Sequence, residues 1–178
     1  RIIKRLHHQS KFILLDDGVA TFKSLNKNKY ERFSTIVPAN YSGTAGKRNT
    51  FDSISLKVQQ TRSKRKINLI IGSKLVEVGI CSMESYLKML KVMIGCLDLH
   101  EVIYIPHRDE NVDNLKIYQQ QFSFEICKNN LPVELVRFEF ELELNQVISS
   151  ISTALFTMPL IYKDAQYLSI QLNEQEIN

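Results

Sequence analysis

Apolar and polar positions alternate in blocks along this chain, and the blocks predict strands and helices in turn. Residues 11–15 form a short apolar run stopped by Asp16-Asp17-Gly18, the pattern of a strand ending in a polar turn. From about Pro38 to Lys66 large apolar residues thin out in favour of Ser, Thr, Asn, Gly and Lys. That stretch predicts a linker or mobile loop with a short strand near 54–58. Residues 67–71 are nearly all apolar, as in a strand buried on both faces. Ser82 is placed to cap a helix carrying Leu87, Leu90, Ile94 and Leu97 on one stripe. A β-rich strand over 102–105 ends at Pro106, and Asp113 then caps a helix with Leu115, Tyr118 and Phe122 on one face. Segments 124–127, 133–138 and 147–151 read as further strands, and Ser152 opens a short helix. The alternation of Phe138, Phe140, Leu142 and Leu144 with charged residues also fits an exposed edge strand. Strands and helices in alternation predict an α/β fold with a parallel sheet.

With 178 residues, the chain suffices for one full core, or for one domain plus part of another. Its 44% hydrophobic and 24% charged residues are ordinary for a globular protein. No apolar run approaches the roughly 20 residues of a membrane span. The chain starts at Arg1 inside a basic segment, without an initiator methionine or a signal-peptide pattern, and so reads as a piece of a longer protein. A net charge of +4 suits an anionic substrate or peripheral contact with an anionic membrane. The densest basic run, Arg62-Ser63-Lys64-Arg65-Lys66, reads as a solvated linker before a strand. Without interleaved aromatics or zinc-finger spacing, it gives no reason to expect nucleic acid. Cys81, Cys96 and Cys127 are odd in number and far apart, which argues against a disulfide framework or a zinc site and fits a reducing, cytoplasmic setting.

Three strings join apolar runs to reactive groups. In open α/β sheets ligands bind beyond the carboxyl ends of the strands, and His107 falls just past such an end. It could protonate or hydrogen-bond a leaving phosphate, and Arg108 beside it offers a fork of donors to an anion. A surface histidine in a strand-to-helix loop fits the same position. Ser149, Ser150, Ser152 and Thr153 crowd another strand-to-helix turn, where hydroxyls and the N–H groups of a first helical turn favour an anion. Serines also cap helices for structural reasons alone. Asp16-Asp17-Gly18 could place a general base beside a hydroxyl or simply form a turn. A receiver-type signalling domain would need a third aspartate at a later strand end, which the stretch after Pro38 does not supply. No phosphate-binding or dinucleotide glycine motif is present.

Taken together, Asp16-Asp17-Gly18, then Ile105-Pro106-His107-Arg108-Asp109-Glu110, then Ser149-Ser150 with Ser152-Thr153-Ala154-Leu155 resemble the motifs of bacterial sialyltransferases of the lipooligosaccharide and capsule polysialyltransferase types. The segment from Gly72 to Leu87 also looks like that family's entry into its donor-binding domain. His107-Arg108 stands where the family carries His-Pro, and Val78 where a second acid often follows a residue such as Glu77. The resemblance implies a GT-B glycosyltransferase. Residues 1–60 would be the remnant of its acceptor-side domain and linker, and residues 61–178 its Rossmann-like donor-binding domain. It implies transfer of sialic acid from CMP-sialic acid to a hydroxyl of a cell-surface glycan, with inversion and without an obligatory metal or other cofactor. Asp16, favoured over Asp17, would deprotonate the acceptor; His107 would assist departure of CMP; Arg108, Ser149, Ser150, Ser152 and Thr153 would hold the donor phosphate. The expected partners are the nucleotide-sugar donor and the glycan acceptor, with a homodimer and a place at the periphery of the inner membrane as further expectations. The alternative is a non-catalytic α/β binding module or degenerate transferase.

Overall fold

The computed structural model describes residues 13–15, 31–34 and 46–171, with side chains from Asn49 onward. The chain forms two compact units, Arg1–Thr50 and Phe51–Asn178. In the first, strands β1 (Ile13–Leu15), β2 (Glu31–Ser34) and β3 (Gly46–Arg48) pair in parallel in that order. The predicted strand over 11–15 is present at Ile13–Leu15, and residues 11 and 12 lie outside the described residues. Asp16 and Asp17 lie outside the described residues.

The second unit is an α/β domain built on a parallel sheet, as the alternation of elements predicts. Its strands are β4 (Arg65–Ile71), β5 (Glu101–Ile105), β6 (Glu125–Ile126), β7 (Leu142–Ser149) and β8 (Gln166–Ser169). They lie in the order β6-β5-β4-β7-β8, every neighbouring pair parallel. The chain starts at the central strand, builds outward to β6, then returns to the other side of β4. This reversal of strand order is the Rossmann-like feature that leaves a crevice at the carboxyl ends. Apolar side chains of β4 alternate between two cores, as the two-residue period of a strand requires. Ile67, Leu69 and Ile71 enter one with Val147, Val136 and Met158, and Ile70 enters the other with Tyr104, Leu90 and Tyr118.

Helices cover both faces: α1 (Asp52–Gln60), α2 (Met83–Gly95), α3 (Val112–Gln121), α4 (Val136–Phe140) and α5 (Ala154–Thr157). Ser82 caps α2 as expected, its hydroxyl accepting the Ser85 N–H at 3.1 Å. The buried stripe of α2 is Tyr86, Met89, Leu90 and Met93, one position round from the predicted one; Leu87, Ile94 and Leu97 are only partly buried. Asn111, not Asp113, caps α3, accepting the Asp113 N–H at 2.9 Å, while Asp113 pairs with Lys116.

Three other expectations are corrected. The segment at 54–58 is helical, because Val58 is buried and the Ser55 hydroxyl donates to the Ile161 carbonyl at 3.1 Å. The strand predicted at 133–138 is a 3-10 turn over Val133–Leu135 running into α4, which ends at Glu141 in the left-handed region (φ 53°). Leu142 and Leu144 then belong to β7, an interior strand paired with β4 on either side of a bulge at Asn145, and both are buried, so no exposed edge strand forms there. Strand β8 had no clear signal, since its residues are only half-buried or exposed.

The basic run is tied into ion pairs. Arg65 reaches Glu101 at 2.7 Å and Glu125 at 3.2 Å, spanning three strands, and Lys64 pairs with Glu141. Cys81, Cys96 and Cys127 are free thiols. Among the described residues no helix is long and apolar enough to cross a membrane.

Candidate functional site

Parallel register fixes where the predicted site residues meet. Ile71, the last residue of β4, pairs with Ile105 on one side and with Ser149 on the other. Two strand spacings separate Ile105 from Ser149, about 10 Å. His107 follows Ile105 by two residues and Ser150 follows Ser149 directly, so both turns leave the same carboxyl edge. They flank β4 at the point where strand order reverses.

Each turn is held by its own side chains. Glu110 is the hinge of the histidine turn: it is 7% exposed, and its Oε2 accepts the His107 N–H at 2.5 Å while Oε1 accepts the Tyr104 hydroxyl at 2.5 Å. Burial pushes its carboxyl up to about 7; the hydrogen bonds from Tyr104 and His107 act in the opposite direction, and the charge of Glu77 adds to the rise. His107 Nδ1 accepts the Asp109 N–H at 3.1 Å. That bond reserves the Nδ1 lone pair, so the neutral ring carries its proton on Nε2. The imidazole is 35% exposed. Asp109 pairs with Lys74 at 2.8 Å, which holds its carboxyl below the usual range, chiefly through the hydrogen bond from that ammonium. Arg108 is almost fully exposed, 3.9 Å from Asp109. Glu77 holds the start of α3, accepting the Asn111 N–H at 2.8 Å and the Asn114 amide at 2.9 Å.

On the serine side the hydroxyls differ in what they do. Ser149 is fully buried and donates to the Ile71 carbonyl at 2.8 Å, tying β7 to β4. Ser150 is 8% exposed and lies 2.9 Å from the Ser73 hydroxyl, which follows β4. Ser152 accepts the Ala154 N–H at 3.2 Å, just before the single turn of α5. Thr153 makes no side-chain cap bond and is half-buried. The edge therefore carries a part-exposed imidazole with its proton on Nε2, an exposed guanidinium and hydroxyls at Ser150, Ser152 and Thr153, donor types suited to an anionic oxygen. Among the described residues no group of three or more His, Cys, Asp or Glu is placed to hold a metal ion.

A cavity of about 240 Å³ lined by Val58, Lys66, Arg137, Leu144, Tyr162 and Asp164 lies at the opposite end, where β4 and β7 begin. None of the predicted site residues lines it. The carboxyl edge is the site favoured by the parallel-sheet rule.

No protein-family model matches the chain, and no curated protein matches it in sequence. Among solved structures, the β-Kdo 2,7-transferase KpsC of Thermosulfurimonas dismutans matches at a TM-score of 0.38 and 15% identity, over 95% of this chain and 74% of that one. A likeness at this level assigns no activity.

Sequence reasoning missed Glu110, Tyr104 and Ser73, whose side chains hold the two turns. The available signal was polarity in apolar surroundings: a tyrosine inside the strand Val102-Ile103-Tyr104-Ile105, and a glutamate closing the histidine string.

Proposed function

We propose that this chain is the donor-side part of a glycosyltransferase that moves sialic acid from CMP-sialic acid to a hydroxyl of a cell-surface glycan, with inversion. The observation that carries this reading is the common edge of the His107 turn and the Ser150 turn at the strand-order reversal. The motif resemblance supplies the donor. In this reading the acceptor oxygen attacks the anomeric carbon as the bond to the CMP phosphate breaks, and the electron pair leaves with the phosphate. His107 Nε2–H donates to a phosphate oxygen and offsets the charge that develops there. Arg108, Ser150, Ser152 and Thr153 hold the phosphate, with Ser149 bracing the turn from beneath. Asp16 or Asp17 takes the acceptor proton, a role that rests on the resemblance alone.

A thermal-shift series with CMP, CMP-sialic acid, UDP and GDP tests the donor. At a hundredfold excess over Kd a ligand adds about 2.7 kcal/mol, or roughly 5–10 °C in Tm. CMP and CMP-sialic acid should give that shift and UDP and GDP should not. His107→Ala should lower transfer by about 10²–10⁴-fold while the apo Tm stays put. No shift with any nucleotide would favour a non-catalytic α/β module instead.

A further inference from the structure

The segment that leaves β4 is tied to both turns of the edge, and it has no part in the transfer step proposed above. Gly72 follows β4 and donates its N–H to the Ile105 carbonyl at 2.8 Å. Ser73 and Lys74 come next. The Ser73 hydroxyl lies 2.9 Å from that of Ser150, in the serine turn. The Lys74 ammonium donates to Asp109 Oδ2 at 2.8 Å, in the histidine turn. Lys74 therefore leaves the central strand between the two sets of donors, where strand order reverses.

Asp109 shows what this corner attracts. Its carboxylate has the Lys74 ammonium at 2.8 Å, His107 Nδ1 at 3.8 Å and Arg108 Nε at 3.9 Å. An internal carboxylate thus takes the place beside Lys74 that an oxygen of a bound anion would take. The two cations differ in readiness. Arg108 is 88% exposed and 3.9 Å from its partner, whereas Lys74 is 43% exposed and held by a short bond, so it has less freedom left to lose on binding. The Lys74–Asp109 pair is open to water from both partners, and pairs of that kind contribute little, so opening it costs little. A phosphate monoester brings roughly −1.5 to −2 charge and three acceptor oxygens to the same ammonium, more than one carboxylate offers.

We propose that Lys74 is an anion-binding residue of this edge and that Asp109 is its resident counter-ion, which an incoming phosphate displaces. The inference rests on the edge being a phosphate site, as in the proposed function, but not on cytidine as the nucleoside. Asp109 acts as a built-in competitor: it keeps the ammonium in place between encounters and lowers the affinity of the edge for every anion. In the transfer proposed above the donor phosphate is a diester with a single charge, and the departing CMP is a monoester with more. Lys74 therefore gains most from leaving Asp109 as the bond to the phosphate breaks, an interaction that grows with the charge it meets.

Amide resonances of the full chain, followed by NMR during titration with inorganic phosphate and separately with CMP at constant ionic strength, test this. Phosphate should move Lys74, Asp109 and Ser150 along one isotherm. Lys74→Met should raise the phosphate Kd about tenfold or more, and Lys74→Arg should keep most of the affinity. Lys91→Met removes the same charge from an exposed position of α2 and should change the Kd less than about twofold. Asp109→Asn should lower the Kd about two- to fivefold, and most of that gain should vanish in a Lys74→Met background. An unchanged phosphate Kd in Lys74→Met, weaker binding in Asp109→Asn, or no response of the native protein to phosphate overturns the inference. If CMP still binds in the first two cases, the donor reading stands without it. Phosphate binding that depends on Lys74, with no binding of CMP, supports the inference and counts against the donor reading.

Discussion

The backbone of Gly72 passes so close to Tyr104 and Glu110 that a Cβ there would meet Tyr104 Cζ at 2.7 Å and overlap the Glu110 carboxylate. Both neighbours are buried and hydrogen-bonded to each other, so neither can give way cheaply. Gly72→Ala should therefore cost about 1–3 kcal/mol of stability, read from the urea midpoint. Glu110 itself makes stability depend on pH. Its carboxyl titrates near 4.5 in the unfolded chain and at about 7 in the folded one, so between those values the native state binds the extra proton. Stability must then fall as pH rises through that window, by about 3 kcal/mol in all, and level off above it. Glu110→Gln should flatten this slope; urea midpoints measured at about pH 5 and about pH 8 decide it. His107 and Ser150 were legible as site candidates because each follows a strand end, a property of local sequence. Glu110 was not, because its place depends on Tyr104, Tyr86 and Tyr118, which come from separate elements.

Helix ends show the same division between local and distant causes. Ser82 caps α2 through the N–H of Ser85, three residues along, and the motif alone predicts it. At α3 two candidate caps lie close together, and the geometry selects Asn111, whose Oδ1 accepts the Asp113 N–H. Glu77 reinforces the choice by accepting the Asn111 N–H from outside the helix, a contact invisible in the local pattern. Asn111→Ala should thus cost about 1 kcal/mol, while Asp113→Ala, which removes only an exposed pair with Lys116, should cost clearly less. Equal losses in urea denaturation would show that the first-turn charge, not the cap, starts the helix. Strand periodicity misled at 133–138 for a related reason. Val133, Val136 and Phe138 are apolar enough for a strand, but only Val136 is fully buried among them, and the left-handed Glu141 ends a helix there. Continuous burial made β4 and β5 easy to find; β8 lies at the sheet edge, where half-exposed residues leave little contrast.

At the scale of the whole molecule the question is where the second unit begins. The resemblance puts a boundary between residues 60 and 61, just before the basic run Arg62-Ser63-Lys64-Arg65-Lys66 that composition reads as a solvated linker. Arg62 to Lys64 of that run connect α1 to β4 and Arg65 and Lys66 open β4, however, and the compact unit starts at Phe51. Composition detects a solvated turn, whereas a domain boundary is set by packing. Helix α1 belongs to the sheet through Val58, 3% exposed in the core, and through the Ser55 hydroxyl on the Ile161 carbonyl. Removing α1 would uncover Val58's neighbours, worth about 1.5–3 kcal/mol, and lose the Ser55 bond to the Ile161 carbonyl, about 1 kcal/mol more. Together these losses are a large part of the roughly 5–15 kcal/mol that holds a domain folded. A chain comprising residues 49–178 should accordingly unfold in one cooperative transition. One comprising residues 61–178 should show a urea midpoint lowered by the equivalent of roughly 2.5–4 kcal/mol, or no transition at all. Equal midpoints for the two would mean that α1 adds nothing to the sheet and that the boundary belongs at the basic run.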